Sequence, residues 1–233
     1  MPPRHRYGIT LSTARWLGAK LLPLWRVVWL TPEPPSGEPC VFVCKHAKTA
    51  GPIAMTLYFP RVFRPWIIDQ MLSVTTMPAY LKTEFFHART RLGRAAYAWL
   101  AALIAPVALW VLRRLRPISG HPGMNAGSTI QESVDSLVAG VDNVVFPEFG
   151  EPADGGCAKL HTGFLYIAPE YFRITGNALP FYPVAIRTAD RTIRVGAPVY
   201  VDPTHDFGPQ KRQLADRLRA DIVRLLRDDS PSH

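Results

Sequence analysis

The sequence is poor in cysteine and in acid. Three cysteines, Cys40, Cys44 and Cys157, occur in 233 residues. That is too few for a disulfide scaffold and suits a reducing compartment. Cys40, Cys44 and His46 do not make a metal site either, because their spacing fits no zinc template and brings no fourth ligand. Residues 40, 42, 44 and 46 would share one face of a strand, so the two cysteines read as small apolar core residues and no metal is expected. Acidic residues number 18 against 27 Lys and Arg, a formal net charge of +9. Such a chain seeks anions: nucleic acid, anionic lipid or phosphorylated substrates. No recognised nucleic-acid module is present. Internal repeats and low-complexity tracts are also missing.

What is present is apolar and aromatic. Hydrophobic residues make up 48% of the chain, enough for one domain with a large core. The Pro-rich patch Thr31 to Pro39 separates an N-terminal segment, residues 1–38, from a main domain, residues 39–233. In "ARWLGAKLLPLWRVVWL" cations stand beside Trp and Leu, as they do in membrane-surface helices. Arg15, Lys20 and Arg26 interrupt the stretch Tyr7 to Leu30, which argues against a spanning helix and against a signal-peptide core. It reads as an amphipathic segment lying on an anionic membrane surface. A second stretch, Ala95 to Leu112, is apolar for about 27 Å if helical. Arginines flank it and Pro106 interrupts it. It is expected to pack on the domain and dip into one leaflet without crossing.

The rest alternates strands and helices. "CVFVCKH" reads as a buried strand, "GPIAMTLYF" as a helix and "RPWIID" as a second strand. "TIQESVDSLVAG" has one apolar helical face and Gly140 as its stop. "DNVVFPEF" is a strand running into a loop, and "LHTGFLYIAPEY" a short helix. "LPFYPVAI" and "TIRVGAPVYV" form an antiparallel pair around "RTADR". Residues 208–227 form a helix with Leu214, Leu218, Ile222 and Leu225 inward. The fold class is α/β, a mixed β-sheet flanked by helices, with an N-terminal membrane-associating helical segment.

Three stretches then fall in a telling order: "FVCKHAKTAGPIA", "VVFPEFGEPADGGCAKLHTGFLYIA" and "ALPFYPVAI". Together they resemble the glycerolipid acyltransferase superfamily, the PlsC-like enzymes that acylate lysophosphatidic acid and related acceptors. The resemblance covers roughly Val41 to Asp202. It implies a PlsC-like fold and a transferase of phospholipid biosynthesis. An acyl group would pass from a thioester donor, acyl-CoA or acyl-carrier protein, to the hydroxyl of a lysolipid acceptor. It implies no cofactor beyond that donor. His46 lies before Ala95 to Leu112 and Glu148 after it, so one span between them would part the two; the protein is expected at the cytoplasmic face of the membrane, peripheral or monotopic, with no nucleic-acid partner.

The resemblance also assigns residues. His46 is the general base that takes the hydroxyl proton. Glu148 is the second catalytic residue, from the Phe-Pro-Glu motif. Gly51, Phe146, Pro147, Gly163 and Pro183 are substrate-binding positions; on their charge, not on the resemblance, Lys45 and Lys48 are added to these, with Arg61 and Arg64 as further cations for an anionic headgroup. Three departures stand out. Gly51 occupies the place of the aspartate that orients the histidine in the family. Gly120 or His121 occupies the place of an arginine that binds the acceptor phosphate. The glycine after Phe-Pro-Glu has moved to Gly150. Another acid, Asp69, Glu84 or Glu148, is therefore expected to reach the His46 ring. The competing expectation is a lipid-binding member of the same fold without catalysis.

Overall fold

The computed structural model describes residues 7–21, 23–35, 37–47, 50–67, 106–120, 126–150 and 156–227. Its sheet consists of β1 (Arg26–Trp29), β2 (Val41–Cys44), β3 (Phe63–Ile67), β4 (Ile118–Ser119), β5 (Asp142–Val145), β8 (Pro180–Arg187), β9 (Thr192–Val195) and β10 (Val199–Tyr200). The order is β1-β9-β8-β2-β5-β3-β4, with β10 paired to β8. From β8 through β2, β5 and β3 to β4 every pairing is parallel, while β8 meets β9 and β10 antiparallel. A hairpin of β6 (Glu148–Phe149) and β7 (Lys159–Leu160) stands apart.

The central strands explain their own position. All four residues of β2 and all four of β5 are buried. Such near-continuous burial suits parallel strands covered on both faces. Cys40, Phe42 and Cys44 join Ala54 and Met55 of α2 (Ala50–Tyr58) in one core. Val41 and Val43 join Val134 and Leu137 of α4 (Ala126–Val138) in the other. Ile167 of α5 (Ile167–Thr175) and Leu218 of α6 (Phe207–Arg227) belong to that second core. Helices thus cover both faces of the sheet. The cysteines are buried and free, as expected.

Gly140, at φ +78°, ends the α4 region with its N–H on the Leu137 carbonyl at 2.8 Å. The αL conformation after a helix favours glycine. Pro183 raises a different question, because proline seldom sits in a central strand. Its Cα lies opposite Val43 of β2. On its other side β10 covers residues 180 and 181 of β8, and β9 begins at Val184. Pro183 falls in the gap, where its carbonyl accepts the Gly196 N–H at 2.9 Å. The missing donor therefore breaks no ladder.

The stretch Tyr7 to Leu30, read as one amphipathic segment, is two elements. Residues 9–21 form α1 (Ile9–Leu21), and after Pro23 the chain becomes strand β1, parallel to β9. Trp25, Val27 and Trp29 alternate onto the α2-side core, a period of two that helical reasoning overlooked. Of the second stretch, residues 106–114 are helical, designated α3. The remainder, 95–105, lies outside the described residues, as does the expected helix "MPAYLKTEFF". Among the described residues no helix is long and apolar enough to cross a membrane.

Candidate active site

β2 and β5 are adjacent and parallel, so their C-terminal ends lie on one edge of the sheet. Ligands of open α/β sheets bind at such edges. Two residues past β2 comes His46, and just past β5 come Phe146, Pro147 and Glu148. Topology alone therefore brings together histidine and glutamate separated by 102 residues.

Their contact is not the one expected. The Glu148 carboxylate accepts the backbone N–H of His46 at 2.6 Å, through Oε2. Through Oε1 it accepts the Ala158 N–H at 3.0 Å. Glu148 thus clamps two chain segments and leaves the imidazole alone. Among the described residues no carboxylate hydrogen-bonds the His46 ring. Of the other two acids considered, Asp69 and Glu84, neither belongs to the described residues. The ring meets the Phe146 ring instead, edge to face, at 5.3 Å between centroids and 64°.

The turn that carries His46 is fixed from several sides. The Lys45 N–H donates to the Val184 carbonyl at 3.0 Å. The Lys45 ammonium donates to the Gly156 carbonyl at 2.7 Å, so it secures the segment after the β6 strand. Ala47 follows with φ +46°, in the left-handed region that costs a non-glycine residue about 1 kcal/mol. Gly51 then explains itself. A Cβ there would stand 2.2 Å from the His46 carbonyl oxygen and 3.1 Å from that of Lys45. The first turn of α2 rests directly on the histidine's backbone, and no side chain fits between them. The position where the resemblance would expect an aspartate is closed here by the main chain.

Beside the end of β5, at Phe146, lies a cavity of about 970 Å³, which His46 itself does not line. Its walls include Trp66, Ile130, Phe146, Phe164, Tyr166 and His161. It is concave and rich in aromatic side chains, the usual character of a small-molecule site. Pro147 and Glu148 also border it. The Trp66 indole N–H donates to Ser133 Oγ at 2.9 Å, and that hydroxyl donates to the Thr129 carbonyl at 2.7 Å. The His161 ring stacks on Phe149 at 4.1 Å, and the His161 backbone N–H donates to the Pro147 carbonyl at 2.8 Å. Burial first, and the Glu148 carboxylate second, push the Cys157 thiol up to about 12, so it keeps its proton at neutral pH.

The remaining expected site residues divide. Gly163 opens the 3₁₀ turn Gly163–Tyr166 and borders the cavity. Gly120 borders it too, with its N–H on the Ile67 carbonyl at 2.9 Å. Pro183 lies within the sheet. Lys48 and His121 fall outside the described residues. Arg61 corrects its assignment. It forms a buried pair with Asp142 at 2.6 Å, at the opposite, N-terminal end of β5, and donates to the Pro34 and Glu38 carbonyls. Arg64 is engaged by Glu132 and by the Arg116 carbonyl. Sequence reasoning missed the cavity walls Trp66, Ile130 and His161. The end of the "RPWI" strand was the available signal for Trp66, since β3 shares its C-terminal edge with β5.

No protein-family model matches the sequence, and no curated protein matches it. Among solved structures, the fold is similar to that of the 1-acyl-sn-glycerophosphate (LPA) acyltransferase PlsC from Thermotoga maritima. The TM-score is 0.55, at 15% sequence identity, over 95% of this chain and 81% of that one. At that identity the likeness is one of fold: a sheet dominated by parallel strands and flanked by helices, as in PlsC.

Proposed function

We propose that the protein is an acyltransferase that moves a fatty acyl group from a thioester, acyl-CoA or acyl-carrier protein, to the hydroxyl of a lysophospholipid or related acceptor. The observation that carries this reading is the meeting of His46 and Glu148 across adjacent parallel strands, beside a cavity with aromatic walls. The fold likeness to a PlsC acyltransferase supports it. In this reading the His46 imidazole takes the acceptor hydroxyl proton as the oxygen attacks the thioester carbonyl. The carbon–sulfur bond breaks, and the imidazolium returns the proton to the leaving thiolate. Glu148 acts through the His46 backbone. No metal or cofactor takes part.

The same reading extends to the membrane. Ile9, Trp16 and Leu17 of α1 are exposed, as are Val107 and Trp110 of α3. Arg114 ties the two helices through Thr10 Oγ1 at 3.0 Å and lies over the Trp110 ring. Aromatic and apolar groups outward beside Lys20, Arg113 and Arg114 suit the surface of an anionic bilayer. We place the protein on the cytoplasmic face, peripheral or monotopic.

A second reading rests on Gly51. With the aspartate position closed by the His46 carbonyl, the fold would bind lipid without transferring acyl groups. One experiment separates the two. Purified protein is incubated in vesicles with labelled acyl-CoA or acyl-carrier protein and a panel of lysolipids. Label appearing in a diacyl product, and absent with His46→Ala, supports the enzyme. Lysolipid binding without any product supports the lipid-binding reading.

A further inference from the structure

Resting on the acyltransferase reading, we infer that Phe146 is the positioning residue of the His46 imidazole, doing by ring contact what a carboxylate does elsewhere. The backbone of His46 is held at both ends. Its N–H lies on Glu148 and its carbonyl rests on Gly51. What those contacts leave open is the rotation of the side chain. The Phe146 ring meets the imidazole edge to face at 5.3 Å, a geometry in the attractive range for aromatic pairs.

Phe146 is well placed for this task. It follows β5 directly, and the next residue, Pro147, is buried and fixes the chain direction. Glu148, one residue further, is anchored by two amides. The same phenyl ring forms part of the cavity wall. It therefore touches the proposed base and also borders the cavity. A shift of the ring would both release the imidazole and reshape the cavity beside it.

The test uses the full-length protein and two readouts. The first is the imidazole ¹⁵N and ¹H resonances of His46, assigned by their loss in His46→Ala. The second is the division of acyl transfer between kcat and KM. Phe146→Leu is expected to shift the His46 resonances and to lower kcat about tenfold, part of what an unconstrained base forfeits. KM should rise by less than kcat falls, since Phe146 also borders the cavity. Phe146→Tyr, which keeps the ring, should hold both near wild type and guards against a folding defect. Phe149→Leu, which loses a stack on His161 and not on His46, should leave the His46 resonances in place. Unmoved His46 resonances in folded Phe146→Leu overturn the assignment. A wild type that transfers no acyl group overturns the enzyme reading, and the resonances still decide the role of Phe146.

Discussion

Glu148 holds His46 by its main chain: the carboxylate lies 2.6 Å from the amide nitrogen, and a second amide, that of Ala158, is bound at 3.0 Å. An acid beside a histidine invites the picture of a dyad in which the acid orients the ring. The geometry separates the two jobs. The acid sets where the histidine stands, and a neighbouring aromatic ring meets its side chain.

Removing that acid should cost stability as well as activity. Glu148→Ala strands two backbone donors, each costing about 1–3 kcal/mol if left unsatisfied and buried. Glu148→Gln keeps a carbonyl for one of them and should cost less. Thermal denaturation checks this, and for a chain of this size each kcal/mol lowers Tm by about 2–4 °C. Equal melting temperatures for wild type and Glu148→Ala would contradict the clamp.

Gly51 offers a test that runs against intuition. Introducing the aspartate that the resemblance would expect, Gly51→Asp, should impair the protein, because the obstacle is at Cβ. Gly51→Ala already meets it. Either change should cost about 1–3 kcal/mol, typical of overpacking, and should displace the histidine turn. Gain of stability and of acyl transfer in Gly51→Asp would show that the turn has room after all.

The Arg61–Asp142 pair should matter to folding and not to chemistry. The Asp142 carboxylate is buried and also accepts the Cys40 N–H at 2.9 Å. Arg61→Met leaves that charge without its partner, at a cost of about 3–5 kcal/mol. Adding Asp142→Asn, which can still accept the Cys40 amide, should recover part of the loss. Urea unfolding of the single and double variants measures it. Activity per folded molecule should stay unchanged, since the pair lies at the far end of the strands.

How much of this was legible in the sequence follows from what sets each feature. The buried strand Val41–Cys44 announces itself as a short continuous apolar run, and the apolar stripe Leu214, Leu218, Ile222 and Leu225 by its helical period. The edge strand Arg26–Trp29 did not. Its Arg26 and Trp29, beside Trp25, read as part of a membrane-surface helix, and only pairing with β9 makes it a strand. The nearness of His46 and Glu148 was readable from their motifs. Which atom of His46 the carboxylate meets was not, because a difference of a few ångströms is set by the turn around Ala47 and Gly51. Arg61 looked available for a headgroup until Asp142 was seen beside it.

The cysteines test the sheet arrangement itself. Cys40 and Cys44 are fully buried in the core, and Cys157 is 1% exposed. Burial pushes all three thiols up from their ordinary value. Maleimide should therefore label none of them in the native protein and all three in guanidinium. Rapid labelling of Cys44 in the folded state would place the histidine-bearing strand at the surface.

The most direct measurement is acyl-thioester turnover by wild type and His46→Ala at matched folded fraction, in the presence of a lysolipid acceptor. A general base contributes about 10² to 10⁴ in rate. The half-buried His46 ring contributes little to packing, so Tm should hold while turnover falls by that factor. Turnover in His46→Ala equal to that of wild type would contradict the assignment of the base, and with it the active site built around that turn.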